Sequence, residues 1–487
     1  MFRRAKTVKL LALKTKIKTS RPGWARISHK IVTCKGGDFI VQYIVIMFKK
    51  RITNKLEKYV RAYFAAHPDI KLVVVAGSVG KTSTKIATAT ILNEKYRVRL
   101  HRGNHNTHLS APLAILGIDY PGNIRSFWQW HKIFKAARRR IKAPSESEPQ
   151  VIVQELGTDR PGDMAEFADY LLPDIAAITA VTPEHMEFFG SLSSVAREEL
   201  SAANFSKCAI INRDDIDSEF SSYITNSEIS TYGTSEIAEY NFEIDGFSFD
   251  DGYLGSFNTS EYGKVPAKLH VFGEHSLRPV IAAATIASKL GLSAEEISLG
   301  AEKIRPVSGR MNILKGINNS VIIDDTYNSS PAAAAAALKA LYSFPDFVTG
   351  PEAAKIAVLG SMNELGDSSA EEHRKIGELC DGVELSWVIT VGDEANKYLA
   401  PAAKAKGCQV KTCKNALEAG AFANKVLLNG GVVLFKGSQG DIYLEEAVKI
   451  VLRSISDEDK LVRQDQAWMK IKNDYFNSFN TFTDEEV

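Results

Sequence analysis

Short apolar runs alternate with stretches of helical period along most of the chain. From Lys71 onward, residues 71–76, 96–101, 151–156, 174–180 and 207–212 read as strands. Between them, segments such as 161–171 and 193–203 carry apolar positions at helical spacing. Apolar runs separated in this way predict a mostly parallel sheet covered by helices. Residues 240–273 break the rhythm: they are rich in Phe, Tyr, Gly and Ser with alternating polarity, which predicts an antiparallel hairpin region. Helices resume at 275–290 and 294–304. A second α/β unit follows the boundary at Pro306–Gly316. Its strands are expected at 320–325, 355–360, 386–391, 408–412 and 431–436. Its helices are expected near 331–342, 370–380, 394–404, 414–428 and 442–455. Residues 143–150 read as a surface loop, and the polar tail after Ser456 carries an isolated Trp468 and Phe476, which are expected to dock on the body.

The 487 residues suffice for two or three domains with real cores. The net charge of +2 gives no overall field for nucleic acid. Five scattered cysteines without a Cys-x-x-Cys pair argue against zinc and for reduced thiols in a cytoplasmic protein. Charge is uneven, however. Residues 1–61 hold 17 Lys and Arg against Asp38 and Glu57 only. This basic arm contains the apolar run 39–48, which as a helix spans about 15 Å and is too short to cross a bilayer. Two readings stay open for it: peripheral contact with a membrane surface, or packing on the following domain.

One stretch carries specific chemistry. Leu72–Ala76 is a buried-strand pattern, Gly77-Ser78-Val79-Gly80 a glycine turn, and Lys81-Thr82-Ser83-Thr84 the start of a helix. Such a turn aims backbone N–H groups at anionic oxygens at the positive end of a helix dipole. Lys81 adds a charge for the outer phosphates and Thr82 a hydroxyl for magnesium. The longer form of this motif would have glycine at position 75, where Val75 stands.

The loop resembles that of the Mur ligases, ATP-dependent amide-bond-forming enzymes of peptidoglycan synthesis. Other segments resemble that family's motifs in order. They are Gly103-Asn104-His105-Asn106, Glu155-Leu156-Gly157, Thr182–Ser191 with its Glu184-His185, Asn212–Asp215 and Ser308-Gly309-Arg310-Met311. Asp324–Pro331, Leu359–Gly366 and Lys436–Gly440 resemble the branch that adds D-alanyl-D-alanine to UDP-N-acetylmuramoyl-tripeptide. The resemblance covers about residues 70–455. It implies a central phosphate-loop ATPase domain at 66–312 and a C-terminal Rossmann-like α/β domain at 313–456. The basic extension 1–65 and the tail 457–487 flank them.

The implied reaction activates a carboxylate with ATP as an acyl phosphate, which an amine then attacks. Lys81, Glu155, His185, Glu199 and Lys436 are the implied catalytic set. Thr82, Glu155, His185 and Glu199 are the implied ligands for Mg2+. The loop residues 77–83, including Ser78 and Ser83, together with Asn212, Arg310, Asp325, Tyr327 and Asn328, are implied to hold ATP. Asn104, Asn106 and Ser438 are implied substrate contacts. The implied partners are small molecules only, a UDP-muramoyl peptide and D-alanyl-D-alanine, bound by a monomer.

Two departures stand out. At the place of the family's carbamylated lysine the chain has Glu199, so that Glu199, or Glu198 by a one-residue shift, is expected to replace the carbamate; an exposed acidic helix face is the alternative. The front of the chain also lacks the family's usual uridine-nucleotide domain. Another amide ligase of the superfamily, a kinase, and a non-catalytic ATP-binding scaffold remain as rival readings.

Overall fold

The computed structural model describes residues 36–101, 103, 105–248, 251–344 and 354–480. Among the described residues, 36–56 and the chain from 57 onward separate as two units. The apolar run 39–48 falls in a long helix, Gly36–Ala66 (α1). Met47 and Phe48, at the end of that run, are exposed. No helix among the described residues is long and apolar enough to cross a membrane.

In the larger unit, β1 (Lys71–Ala76) leads through the glycine turn into α2 (Lys81–Leu92). Then come β2 (Val98–Leu100), α3 (Phe127–Ile141), β3 (Val151–Glu155) and β4 (Ile175–Ile178). Helix α4 (Leu192–Asn204), β5 (Cys208–Asn212) and β6 (Ile229–Tyr232) complete a six-stranded sheet. Its order is β2-β3-β1-β4-β5-β6, with every pair parallel. Strand alternation sends Leu72 and Val74 to one face and Val73 to the other, so β1 serves two separate cores. One face packs against Val60 and Tyr63 of α1, Ala137 of α3 and α4. The other packs against α2 and against α5 (Leu277–Lys289).

Ahead of α5 come β7 (Asn241–Ser248), β8 (Gly252–Thr259) and β9 (Gly263–Leu269), an antiparallel sheet of three. This is the expected hairpin region. After α6 (Ala294–Glu302), the short strand β10 (Asn312–Lys315) runs antiparallel to β11 (Val321–Asp325). Next are α7 (Pro331–Tyr342), β12 (Lys355–Gly360), α8 (Ser369–Glu378), β13 (Trp387–Val391) and β14 (Val410–Cys413). They are followed by α9 (Ala416–Val426), β15 (Val432–Lys436) and α10 (Glu445–Val451). The second sheet reads β10-β11-β15-β12-β13-β14. The pattern did not mark β6, β10 or α3.

The tail docks through Phe476 as expected, but its helix and buried ion pairs were not foreseen. It forms α11 (Gln466–Asn480), and Phe476 packs on the second unit's core. Lys472 is buried between Glu445 and Glu446, and Arg463 is buried against Glu445. Buried charge pairs of this kind tie the tail to the body.

Candidate active site

The cleft lies where the carboxyl ends of the two parallel sheets face each other, as expected for open α/β sheets. A cavity of about 530 Å³ is lined from the first sheet by residues 78–84 and from the second by Asp325, Tyr327, Asn328 and Lys436.

The glycine turn is set by sterics. Gly77 has φ +123°, and a Cβ there would stand 2.3 Å from Thr179 Oγ1 and 2.8 Å from the Ala180 nitrogen. Gly80, with φ +87°, precedes the first turn of α2. Thr179 fastens the turn by donating to the Val79 carbonyl at 2.6 Å. Ser78 Oγ accepts from the Thr182 N–H at 3.0 Å. The Lys81 ammonium folds back to donate to the carbonyls of Gly77 and Ser78. Burial would lower its pKa, but Glu184, Glu199 and Glu155 outweigh that and raise it, so the amine is charged.

Parallel pairing of Val75 with Glu155 places Glu155 beside the turn. Its Oε2 accepts from Thr82 Oγ1 at 3.0 Å and faces Lys85 Nζ at 3.2 Å; Oε1 accepts from Asn106 Nδ2 at 3.2 Å. Burial pushes its pKa up, but Lys85, Lys81 and Arg310 together hold it below the usual range. The Asn106 and Glu155-Leu156-Gly157 motifs interlock, because the Gly157 N–H donates to the Asn106 carbonyl at 2.9 Å and a Cβ on Gly157 would strike the Asn106 amide. Asn104 lies outside the described residues.

Across the cleft, Arg310 stacks on Tyr327 at 4.1 Å and reaches Thr82 Oγ1 at 3.3 Å. Its Nε is buried without a partner in the protein, as is the Thr182 hydroxyl; both residues line the cavity. Unpaired buried donors facing a cavity await an acceptor. Asp325 Oδ2 pairs with Lys436 Nζ at 2.8 Å, and Lys436 also donates to the Asn328 carbonyl at 2.6 Å. His185 has left-handed backbone (φ +46°), with Nδ1 3.3 Å from Glu364 of the second half and Nε2 3.8 Å from Asp159. Asn212 lines the cavity, but its amide donates to the Thr179 carbonyl and to Asp215.

Two expectations need correction. Ser438 does not line the cavity. Its hydroxyl accepts from the Asn363 N–H at 2.9 Å and donates to the Ser329 carbonyl, bracing the strand ends. Glu199 is also off the cavity wall. It is fully buried beneath the turn, accepting from the Gly77 N–H at 2.7 Å and from Thr158 Oγ1 at 3.2 Å. Its stem is too short to pass the loop, so a ligand's place becomes a brace. Glu198 is likewise a brace, accepting from the N–H groups of Gly162 and Met164.

Several cavity residues carried no role in the sequence reading. Glu184 lines the cavity and hydrogen-bonds to Glu199; burial, then the Glu199 charge, push it well above the carboxylate range against the pull of Lys81. Lys85, off the cavity wall, pairs with Glu155 at 3.2 Å from one helical turn after Lys81, a spacing the sequence did contain. His275 lines the cavity and is held neutral, its pKa lowered to about 4 mainly by burial. Arg278 is fixed by Asp214 at 3.0 Å and Asp215 at 3.1 Å.

A glycine turn at a strand end, a charged lysine, and a carboxylate–hydroxyl pair facing an arginine with a free N–H define a nucleotide-binding ATPase-type site. The chain belongs to the Mur ligase family: the Mur ligase middle domain matches residues 75–287, and the Mur ligase glutamate ligase domain residues 309–439. A relative from Bacillus subtilis, a UDP-N-acetylmuramoyl-tripeptide–D-alanyl-D-alanine ligase, is 25% identical over 85% of this chain and 82% of its own length. Two solved structures share the fold. MurF from Acinetobacter baumannii gives a TM-score of 0.65 at 24% identity, over 81% of this chain and 79% of that one. MurF ligase from Thermotoga maritima, in complex with ADP, gives 0.64 at 24% identity, over 82% and 83%.

Proposed function

We propose that the chain is an ATP-dependent, ADP-forming amide ligase of peptidoglycan precursor synthesis. In this reading it joins D-alanyl-D-alanine to a UDP-muramoyl tripeptide. The observation that carries it is the cavity where the Lys81 turn and the Glu155–Thr82 pair face Arg310 with its unpaired Nε. Family membership and the names of the relatives point to the same reaction.

The residues derive the chemistry in order. Backbone N–H groups of the turn take the phosphates, and a phosphate oxygen competes with the carbonyls of Gly77 and Ser78 for the Lys81 ammonium. Arg310 supplies a second charge to the phosphoryl group from the opposite wall. Such fixed charges lower the barrier to attack by the substrate carboxylate oxygen on the terminal phosphorus, which releases ADP. The amine then attacks the acyl phosphate and phosphate leaves. Lys436, locked to Asp325, stands on the C-terminal wall to steady that leaving group. Asp325, Tyr327 and Asn328 line the ATP side, with neutral His275 nearby, and Asn106 orients Glu155.

Glu155 and Thr82 fit Mg2+, since they present adjacent hard oxygens and the carboxylate is ionised. Among the described residues no group of three or more His, Cys, Asp or Glu converges on one point, so phosphate and water would complete the shell. Bound there, the cation would neutralise phosphate charge. His185 is the protein's candidate for a second cation. The boundaries 66–312 and 313–456, a monomeric state, a cytoplasmic location and peripheral membrane contact through residues 1–61 belong to the same proposal.

The test is ADP release by the full chain with UDP-muramoyl tripeptide, with and without D-alanyl-D-alanine. Release that requires both substrates is expected. Release without the amine identifies a kinase, and ATP binding without release a scaffold.

A further inference from the structure

Beyond the cleft, α3 is built as a surface helix with two opposed faces. Trp130, Ile133 and Ala137 are buried, and Trp130 Nε1 donates to the Ile124 carbonyl at 2.7 Å, fixing the helix on the body. The opposite stripe, spaced i, i+4, i+7 and i+11, is Trp128, Lys132, Lys135 and Arg139, all exposed. Phe127 and Trp128 open the helix at 69% and 74% exposure, and Ile124 just before them is 44% exposed. From residue 120 to residue 145 there are seven Lys and Arg and no Asp or Glu. Only Arg140 of these cations makes an ion pair among the described residues, with Glu148.

The setting makes this charge notable. The chain has 60 Lys and Arg against 58 Asp and Glu, and residues 1–61 hold 17 against 2, which leaves 43 against 56 in the remainder. The α3 face is thus a basic island on an acidic body. Its apolar members are not scattered either. A phenylalanine and a tryptophan sit side by side in the first turn, ring centroids 6.2 Å apart, with the cations trailing toward the other end.

We propose that the exposed face of α3 is a docking surface for an anionic lipid bilayer. Ile124, Phe127 and Trp128 enter the headgroup boundary, and Lys132, Lys135, Arg138 and Arg139 lie over the lipid phosphates. Exposed Trp and Phe at one end of a basic helix suit the bilayer interface, where an apolar ring is buried and charge is met at the surface. The surface is carried by α3 alone and stands independently of the basic arm and of the ligase reading.

The test uses the full chain and vesicles of phosphatidylcholine, either pure or with about 30% phosphatidylglycerol, a composition that sets a negative surface potential. Brominated acyl chains quench a tryptophan that enters the bilayer. The difference between wild type and Trp128→Phe isolates the Trp128 signal, and the phenylalanine keeps an interfacial ring. Quenching of that signal by the anionic vesicles alone, reversed by high salt, is expected. Lys132→Gln/Lys135→Gln/Arg139→Gln and Phe127→Ser/Trp128→Ser should each weaken vesicle binding about a hundredfold. ADP formation in the absence of vesicles should be unchanged in both variants. If the protein sediments with vesicles while Trp128 stays unquenched and both variants bind normally, the arm alone holds the membrane and the proposal falls. It falls equally if a single-stranded oligonucleotide, and not the vesicles, protects residues 124–139 from hydrogen exchange.

Discussion

The two parallel sheets furnish opposite walls of one cleft, and they hold their charges differently. On the first wall the Lys81 ammonium rests on carbonyls of its own loop and stands 3.9 Å from Glu184, whose carboxyl is pushed by burial well above the carboxylate range. Charge there is poised for a ligand. On the second wall Lys436 is paired with Asp325 and Arg463 with Glu445 in salt bridges, while Arg310 keeps its Nε unpaired toward the cavity. Arg463 also donates to the carbonyls of Thr326 at 2.7 Å and Tyr327 at 2.9 Å, so the tail fixes the segment that carries Tyr327. The first wall is therefore built to respond to phosphate, and the second mostly to hold a shape, with Arg310 left to meet the ligand. Substitutions should separate the two, with catalysis lost on the first wall and stability or affinity on the second.

The largest effect is expected from Lys81→Ala. Its ammonium acts on charge that develops during transfer, and losing such a contact costs about a thousandfold in kcat. Because Lys81 is held by loop carbonyls and by Glu184 at 3.9 Å, at the cavity and not in the core, the thermal midpoint should stay within a few degrees of wild type. A variant that turns over normally would sink the phosphate-loop assignment.

Arg463→Ala should behave in the opposite sense. It leaves the fully buried Glu445 with Lys472 as its remaining cation, at 3.5 Å, and frees two carbonyls beside the site. Removing one partner of a buried pair costs about 3 kcal/mol. Denaturant unfolding should show that loss, and KM for ATP should rise more than kcat falls. A stable variant with wild-type KM would mean that the tail does not set the second wall.

Asp324 offers a pH readout of the same wall. It is buried and accepts from the Gly309 N–H and from Thr326, yet burial still raises its pKa to about 6 from 3.8. Below pH 3.8 the group is protonated in both folded and unfolded chains, and its contribution is complete. As pH rises toward 6 the unfolded chain releases the proton first, so stability falls by about 3 kcal/mol and then levels. Asp324→Asn cannot titrate. The difference in unfolding free energy between variant and wild type should therefore move in the variant's favour from pH 4 to pH 7. A difference that stays constant over that range would show that Asp324 is ionised throughout.

The walls also differ in how far the sequence disclosed them. Strand–turn–helix order identified the Lys81 loop, because glycine, lysine and threonine there answer to local backbone geometry. The strand run ending at Glu155 placed that carboxylate correctly, since parallel pairing carries it to the loop. Ser438 and Glu199 were misplaced because a family motif fixes position along the chain and not where a side chain of different length ends. Glu184 and His275 gain their character from burial by segments distant in sequence. The tail looked polar because Arg463 and Lys472 are charged, although their partners Glu445 and Glu446 bury them. No local pattern distinguishes a solvated lysine from one in a buried pair.

Glu199 gives the finest test of the first wall. Were it a cation ligand, neutralising it would weaken the apparent affinity for Mg2+. In the structure its oxygens accept from the Gly77 N–H and the Thr158 hydroxyl. Glu199→Gln keeps one acceptor for Gly77 and removes the charge that helps hold the Lys81 ammonium. The expected result is a modest fall in kcat, about tenfold, the size of one lost charge-assisted contact. The Mg2+ concentration for half-maximal rate should not move, and added bicarbonate should change neither protein, since a glutamate needs no carbon dioxide to become an anion. Turnover measured against Mg2+ for wild type, Glu199→Gln and Glu155→Gln makes the comparison internal. Glu155→Gln should shift the Mg2+ dependence strongly. An equal shift in both variants would return Glu199 to the cavity wall as a ligand.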